Sequence, residues 1–382
     1  MDRRKVLIGG GAAVGAAASS LAAPAIAQGR LELKMVTTWP RDFPGLGTGA
    51  QDLANLIGNL SGGRIKVRLF AAGEMVKAFD SFDAVARGDA DMYHAADYYW
   101  QKRHKAYNFF TSVPMGMTAL ELDAWIRFGG GQALWDELSA GFGVKPFLAG
   151  NTGVQMGGWF RNPIRSLDDM KQLKMRIPGL GGEVIKRLGG QAITLPGGEI
   201  PAALANGKIN AAEWVGPYND KAFGLHRYLK NYMFPGFQEP GTGLCLGVNL
   251  KLWESLSKTD QTIIETAATA SNNLVLAEYN AKNGDALADL RWNEGVQLHI
   301  VPQDVWGQIA QVSRDVIEEV GNSDVLGRRV LESFKEFGAR VSEWQRISDI
   351  LYVAYRAISG PITTCLRIPY GLGEAAVLAP AR

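Results

Sequence analysis

The chain is expected to fold as an α/β protein of two similarly built lobes, with one long helix bracing both. Three observations predict this. Stretches with strand character alternate with helical ones through the first half and again through the middle, the order that produces parallel βαβ units. A motif recurs: Ala84-Val-Ala-Arg-Gly88-Asp-Ala-Asp-Met matches Ala203-Leu-Ala-Asn-Gly207-Lys-Ile-Asn-Ala in residue type and order. In both, a helix ends at a glycine able to take the left-handed C-terminal position and a strand begins at once. Finally, Ser257–Glu294 reads as a helix that would extend roughly 50 Å, more than one lobe needs.

Taken in order, Leu31–Thr37 reads as a strand, Gly49–Leu60 as a helix and Arg64–Phe70 as a strand of alternating apolar residues. A helix near Phe79–Ala86 and a strand near Ala90–Ala95 complete the first run. The second run begins with a helix over Ser166–Leu173, opened by a capping-box-like Ser166…Asp169 pair. Strands at Lys174–Ile177, Gln191–Leu195 and Lys208–Trp214 then alternate with helices at Gly181–Leu188 and Ile200–Leu204. In the long helix, Ser257 and Asp260 form the cap, and Ile263, Ala267, Ala270, Leu274 and Ala277 mark the apolar face. Asn283-Gly284 is a candidate kink. Helices at Gln303–Val320 and Val325–Tyr355 follow. The expected division is 28–150 for the first lobe, 151–256 for the second, 257–366 for the spanning and C-terminal helices, and 367–382 for a poorly ordered tail.

Residues 1–27 read as a signal peptide rather than as part of the fold. Arg3-Arg4 opens a basic region, Val6–Ala23 is weakly apolar and rich in Gly and Ala, and Ala25-Ile-Ala27 is a small-residue cleavage site. The arginine pair and the low hydrophobicity favour twin-arginine (Tat) export over ordinary Sec export. No cysteine stands at the cleavage site, so the mature protein is expected to be free in a periplasm. The 382 residues carry 40 Lys and Arg against 38 Asp and Glu, a balance that indicates neither a nucleic-acid footprint nor a polybasic membrane patch. Cys245 and Cys365 make neither a disulfide framework nor a metal-ligand spacing. The four histidines are scattered, each read as a solvated or capped structural residue, and no nucleophile elbow, P-loop or H-E-x-x-H occurs.

The chemistry concentrates in three stretches: Asn151-Thr-Gly-Val-Gln155-Met-Gly-Gly-Trp-Phe-Arg161, Lys174-Met-Arg176-Ile-Pro178 and Glu213-Trp214-Val-Gly-Pro217. An arginine pairs with a carboxylate in two-pronged fashion, an amide orients it, and an acid holds a cation against it. Arg176 stands at the carboxyl end of an expected strand, where ligands of open α/β sheets sit. On residue type alone it is equally a surface arginine, and Gln155 is equally a buried amide satisfied by backbone. Glu213 ends an apolar strand and would be costly to bury unpaired, so it needs an arginine or a metal.

These stretches resemble the extracytoplasmic solute receptors of TRAP transporters, the DctP-like family. They are most similar to the branch that binds 2-oxo acids and related 2-hydroxy acids together with a metal ion. The resemblance runs from about Leu31 to about Arg356 and is most specific at Asn151–Arg161 and Glu213–Pro217. It implies a two-lobed periplasmic binding protein, a Venus flytrap, whose long helix spans both lobes. It implies Arg176 as the carboxylate clamp, Gln155 on both ligand and metal, Asn151 close to the ligand, and a tyrosine from the first lobe, Tyr98 or Tyr99. The metal, Na⁺ or Ca²⁺ given all-oxygen ligation, would take Gln155, Glu213, the backbone oxygen of Trp214 and Glu239. At Glu239 the chain departs from the family pattern, since Gln238 replaces an aromatic residue and Pro240 follows. The Trp214 ring would flank the ligand, Trp39 is better explained by core packing, and Arg161 reads as a scaffold residue. The expected function is capture of a small 2-oxo or 2-hydroxy monocarboxylate for delivery to TRAP membrane subunits, without catalysis. The alternative is an exported metal-dependent enzyme acting on an oxo or hydroxy acid, for which no positioned base is found. Oligomeric state, a homodimer among the alternatives, is not set by the sequence.

Overall fold

A computed structural model describes residues 29–359. The expected signal peptide, tail and Cys365 lie outside these residues. Eleven strands form among them: β1 Leu31–Thr37, β2 Ile65–Phe70, β3 Met92–Ala95, β4 Val144–Asn151, β5 Gly158–Phe160, β6 Lys174–Arg176, β7 Gln191–Ile193, β8 Ala211–Ala212, β9 Asn231–Phe234, β10 Gly243–Asn249 and β11 Gln297–Ile300. They make two sheets, ordered β2-β1-β3-β10-β4 and β11-β9-β5-β8-β6-β7, each with helices packed against it.

The two sheets repeat one plan. β2-β1-β3 and β7-β6-β8 are parallel triplets built by βαβαβ runs with the same strand order. Each triplet then meets an antiparallel neighbour, β10 beside β3 and β5 beside β8. The recurring motif ends the second helix of each run, and Gly88 and Gly207 both take positive φ, +85° and +73°.

Two strands depart from the expected division. β10 lies within the stretch assigned to the second lobe but belongs to the first sheet, and β11 lies within the expected helical region but extends the second. β10 is buried along almost its whole length, as suits a strand covered on both faces. The chain therefore crosses between sheets twice in this region, after β4 and after β9. The two crossing segments pair directly: Thr152 N–H donates to the Thr242 carbonyl (3.1 Å), Gln155 N–H to that of Glu239 (3.1 Å) and Gly236 N–H to that of Gln155 (3.1 Å).

The long helix runs unbroken over Lys258–Trp292, 35 residues, with the Ser257 hydroxyl accepting from Asp260 N–H at 3.1 Å. It packs on β4 and the helix Gly47–Leu60 of the first lobe and on the helix Pro217–Ala222 of the second. Its buried face is Ile264, Ala267, Ala268, Ser271, Val275 and Tyr279, not the expected one; Leu274 is 57% exposed and Ala277 also faces out. Polar residues on the buried side hid the true face, since Asn272 binds Asp123 and Tyr279 binds Asn219. Asn283 does not break the helix; its side-chain Oδ1 accepts from Tyr218 N–H at 3.0 Å. The expected strand Lys208–Trp214 shortens to β8 and the helix Ser166–Leu173 to Leu167–Met170, capped by Ser166 and Asp169 as expected. The last helical region divides into Val325–Ile347 and Asp349–Ser359. No helix among the described residues is long and apolar enough to cross a membrane.

A buried arginine facing two acids

The site is assembled from strand ends and the two crossing segments. β6 ends at Arg176, whose side chain is 1% exposed. Its guanidinium donates from Nε and Nη2 to the Leu195 carbonyl (3.1 and 3.0 Å) and from Nη1 to the Glu213 carbonyl (3.2 Å) and the Glu213 carboxylate. Glu213 follows the neighbouring strand β8, and its N–H donates to the Arg176 carbonyl at 3.1 Å, so the register of two parallel strands fixes the pair. The Arg176 guanidinium also lies 5.0 Å from the centre of the Trp214 ring.

Gln155 and Glu239 come from the two crossing segments. Gln155 Nε2 donates to Glu239 Oε2 (2.9 Å), Thr152 Oγ1 (3.0 Å) and Thr242 Oγ1 (3.0 Å), and the Thr242 hydroxyl donates to the same Glu239 oxygen. Asn151, at the end of β4, accepts from Gly153 N–H through Oδ1 at 2.9 Å. Trp214 packs edge-on against Trp39 and Phe43, with centroids 6.2 and 6.1 Å away. Gly197 makes room for it: a Cβ there would stand 2.3 Å from the indole. Tyr98 and Tyr99 follow β3 with rings 4.8 Å apart and roughly perpendicular.

Burial sets the electrostatics. It pushes the Glu239 carboxyl up to about 7, against hydrogen bonds and charge from Thr242, Arg176, Tyr98 and Gln155. Burial likewise pushes Glu213 well above the usual carboxylate range; Arg176 opposes this, while Glu239 and Asp220 add to it. Both tyrosine hydroxyls are raised, first by burial and then by these acids, and so stay neutral.

The telling feature is what these contacts leave unpaired. Four buried polar atoms of this group have no hydrogen-bond partner among the described residues: Gln155 Oε1, Glu213 Oε2, Asn151 Nδ2 and Trp214 Nε1. Two are acceptors suited to a cation, and two are donors suited to an anion or a carbonyl. Among the described residues no three His, Cys, Asp or Glu gather as a metal cluster, so any cation here would meet two acids and neutral oxygens. That donor set fits Na⁺ or Ca²⁺ and not a thiolate- or imidazole-seeking metal.

Seven of the eight sequence-derived candidates are linked by these contacts and charges: Tyr98, Tyr99, Gln155, Arg176, Glu213, Trp214 and Glu239. Asn151 stands at the end of β4, four residues before Gln155, with its one side-chain hydrogen bond to Gly153. Arg161 is exposed. Trp39 is buried yet reaches the site's edge, with Nε1 donating to His94 Nδ1 at 2.9 Å. His94 is fully buried, so of the two readings, solvated or capped, the first does not hold; Trp39 bonds its Nδ1, and burial lowers it to about 4. Thr152, Thr242 and the Leu195 carbonyl were not anticipated. The Thr-Gly pairs at 152–153 and 242–243 were the only sequence signal for the hydroxyls, and the carbonyl left none.

The family model for bacterial extracellular solute-binding proteins, family 7, matches residues 35–324. The chain belongs to that family. The monocarboxylate 2-oxoacid-binding periplasmic protein of a Nostoc species is 41% identical over 326 residues, 85% of this chain and 89% of that protein. A TRAP transporter solute-binding protein from Bordetella bronchiseptica, a mixed-occupancy dimer with copurified calcium and picolinate, superposes with TM-score 0.85 at 31% identity, covering 87% of this chain and 98% of that one. A TRAP periplasmic solute-binding protein from Pseudoalteromonas atlantica, with bound sodium and pyruvate, gives TM-score 0.83 at 35% identity, covering 86% and 99%. Family 7 proteins bind solutes for transport. The chain is thus an extracytoplasmic solute-binding protein with a two-lobed fold and not an enzyme, and the enzymatic alternative falls away.

Proposed function

We propose that the protein captures a small 2-oxo or 2-hydroxy monocarboxylate together with Na⁺ or Ca²⁺ and delivers it to TRAP membrane subunits. The observation that carries this is the fully buried Arg176 beside Glu213 and Glu239, with four unpaired polar atoms split between cation-seeking and anion-seeking types. In this reading Arg176 holds the carboxylate, and the Asn151 amide and Trp214 indole donate to the ligand's oxygens. Gln155, Glu213, the Trp214 carbonyl and Glu239 hold the cation, and Tyr98 or Tyr99 closes the site from the first lobe. The cation supplies positive charge that neutralises two buried carboxylates and draws the ligand's oxygens in. Relatives with bound pyruvate or picolinate beside sodium or calcium support the ligand class. Because ligand groups come from both lobes, their full binding energy is gained only with the lobes together.

Trp39 and Trp214 give this reading a direct test. Intrinsic fluorescence should change saturably on adding pyruvate, longer 2-oxo acids or lactate in the presence of Na⁺ or Ca²⁺, and not on adding neutral sugars. A flat response to every such monocarboxylate would overturn the reading.

Two further parts of the reading rest on other regions. Arg3-Arg4 directs Tat export, so Arg3→Lys with Arg4→Lys should leave precursor in the cytoplasm; normal periplasmic yield would assign the signal to Sec. The protein forms a homodimer through its last two helices, where Trp344, Ile347, Ile350, Tyr352, Val353 and Tyr355 are each about half exposed or more. Ultracentrifugation should show a dimer that Trp344→Ser with Ile350→Ser dissociates. A monomeric wild type would contradict this.

A further inference from the structure

We infer that Gln238 is a specificity-determining residue, reading a hydrogen-bond donor on the ligand's chain beyond the oxo group. The preferred ligand would then be a hydroxylated 2-oxo acid over an alkyl one. The inference rests on the 2-oxo acid reading above and deepens it.

Gln238 is 2% exposed. Its Nε2 donates to the Met156 carbonyl at 2.8 Å, and because a carbonyl only accepts, the amide nitrogen must face Met156 and the oxygen must point elsewhere. That oxygen, Oε1, has no partner among the described residues. The next residue, Glu239, takes Gln155 Nε2, so residues 238 and 239 of one crossing segment grip residues 156 and 155 of the other. Gln238 is thereby fixed beside the acid corner of the site.

Its other neighbour is the first turn of the helix Gly179–Arg187. A Cβ on Gly181 would stand 2.7 Å from the Gln238 Cβ, and one on Gly179 would stand 3.5 Å from the Tyr98 ring and 3.3 Å from Asn108 Oδ1. Gln238 thus packs on a helical turn whose start touches the first-lobe tyrosine. Asn108 Oδ1 is a second buried acceptor without a partner, contributed by the opposite lobe. The helix start takes no side-chain cap, so Gln238 is not spent on capping it. An alkyl chain arriving here leaves a buried amide oxygen unpaired, whereas a hydroxyl satisfies it.

3-Hydroxypyruvate and 2-oxobutyrate are nearly isosteric and differ by one hydroxyl in place of a methyl group. Calorimetry on the full-length mature protein, with Na⁺ or Ca²⁺ present, should show 3-hydroxypyruvate binding about tenfold more tightly or better, the worth of one buried hydrogen bond. Gln238→Met should bring the ratio to about one or reverse it. Gln238→Asn, which withdraws the oxygen by one methylene, should lower it and serves if the first variant does not fold. A wild-type ratio near one, or an unchanged ratio in either folded variant, overturns the inference and leaves the 2-oxo acid reading standing. Failure of wild type to bind pyruvate, 2-oxobutyrate and 3-hydroxypyruvate alike overturns both.

Discussion

Glu213 and Asp220 lie seven residues apart, in one lobe, and each is 1% exposed. Asp220 accepts from four donors: Val215 N–H (3.1 Å), Gly216 N–H (3.1 Å), Trp159 Nε1 (2.8 Å) and Tyr232 Oη (2.7 Å). Glu213 has Arg176 on one carboxylate oxygen and, among the described residues, nothing on the other. A buried acid with every lone pair engaged is explained by the scaffold alone. One left half-satisfied in a well-packed protein is explained by something that binds there. Asp220 also holds the very turn that follows Glu213-Trp214, so the satisfied acid positions the unsatisfied one.

The largest expected effect falls on the ligand side of the contrast. Arg176→Lys should cost about 2–4 kcal/mol in carboxylate binding, because a point ammonium cannot donate to the Leu195 and Glu213 carbonyls and still reach a ligand carboxylate. Calorimetry with pyruvate reads it, and unchanged affinity would remove Arg176 from the clamp.

The next concerns pH. Burial raises Glu239 from an ordinary 4.5 to about 7, so the cation-free folded state holds a proton that the unfolded chain releases. The contribution of Glu239 to stability is therefore full below about 4.5 and falls by about 3 kcal/mol as pH rises to about 7. Asp97 and Asp220, raised by burial to about 7 and about 6, act in the same direction without a cation to relieve them. Cation affinity, which needs the ionised carboxylate, should climb through the same interval and level off above it. Thermal melts from pH 5 to 8 should show cation stabilisation growing with pH in wild type and growing less steeply in Glu239→Gln, where Glu213 alone is left to titrate. Equal cation stabilisation at every pH in wild type would break the assignment of Glu239.

Exchanging the two acids for amides sharpens the comparison. Asp220→Asn puts an NH₂ among donors and should destabilise folding by roughly 2 kcal/mol in urea titrations. Glu213→Gln removes the adjacent counter-charge of the buried Arg176 and should also cost some stability, but unlike Asp220→Asn it should weaken cation and ligand together, since their affinities are reciprocally linked. The reverse pattern would mean the two acids have been misassigned.

The smallest effect separates the tyrosines. Whichever of Tyr98→Phe and Tyr99→Phe loses about 1 kcal/mol of ligand affinity identifies the hydroxyl that reaches the ligand. If neither changes affinity, the first lobe contributes rings only.

Much of this was legible in the sequence, for a physical reason. Parallel βαβ runs announce themselves by alternation, and Gly88 and Gly207 end their helices because few other residues tolerate that backbone. Arg176, Gln155 and Glu213 stand out because buried charge and amide are costly without a purpose. β10 did not declare its partner, since an apolar strand carries no mark of which sheet will bury it. The face of the long helix was misjudged because Ser271, Asn272 and Tyr279 are buried through polar contacts that hydrophobic spacing does not register. Nor could spacing reveal that Gln155 and Glu239 pair across the two crossings between sheets.

The central claim is that a cation and a carboxylate bind together beside the half-satisfied Glu213. Calorimetric titration of pyruvate into wild-type protein, first stripped by chelation and ion exchange and then resupplied with Na⁺ or Ca²⁺, tests it most directly. The account predicts affinity at least about tenfold higher with the cation, a coupling of about 1.4 kcal/mol. The same affinity in both titrations would contradict it.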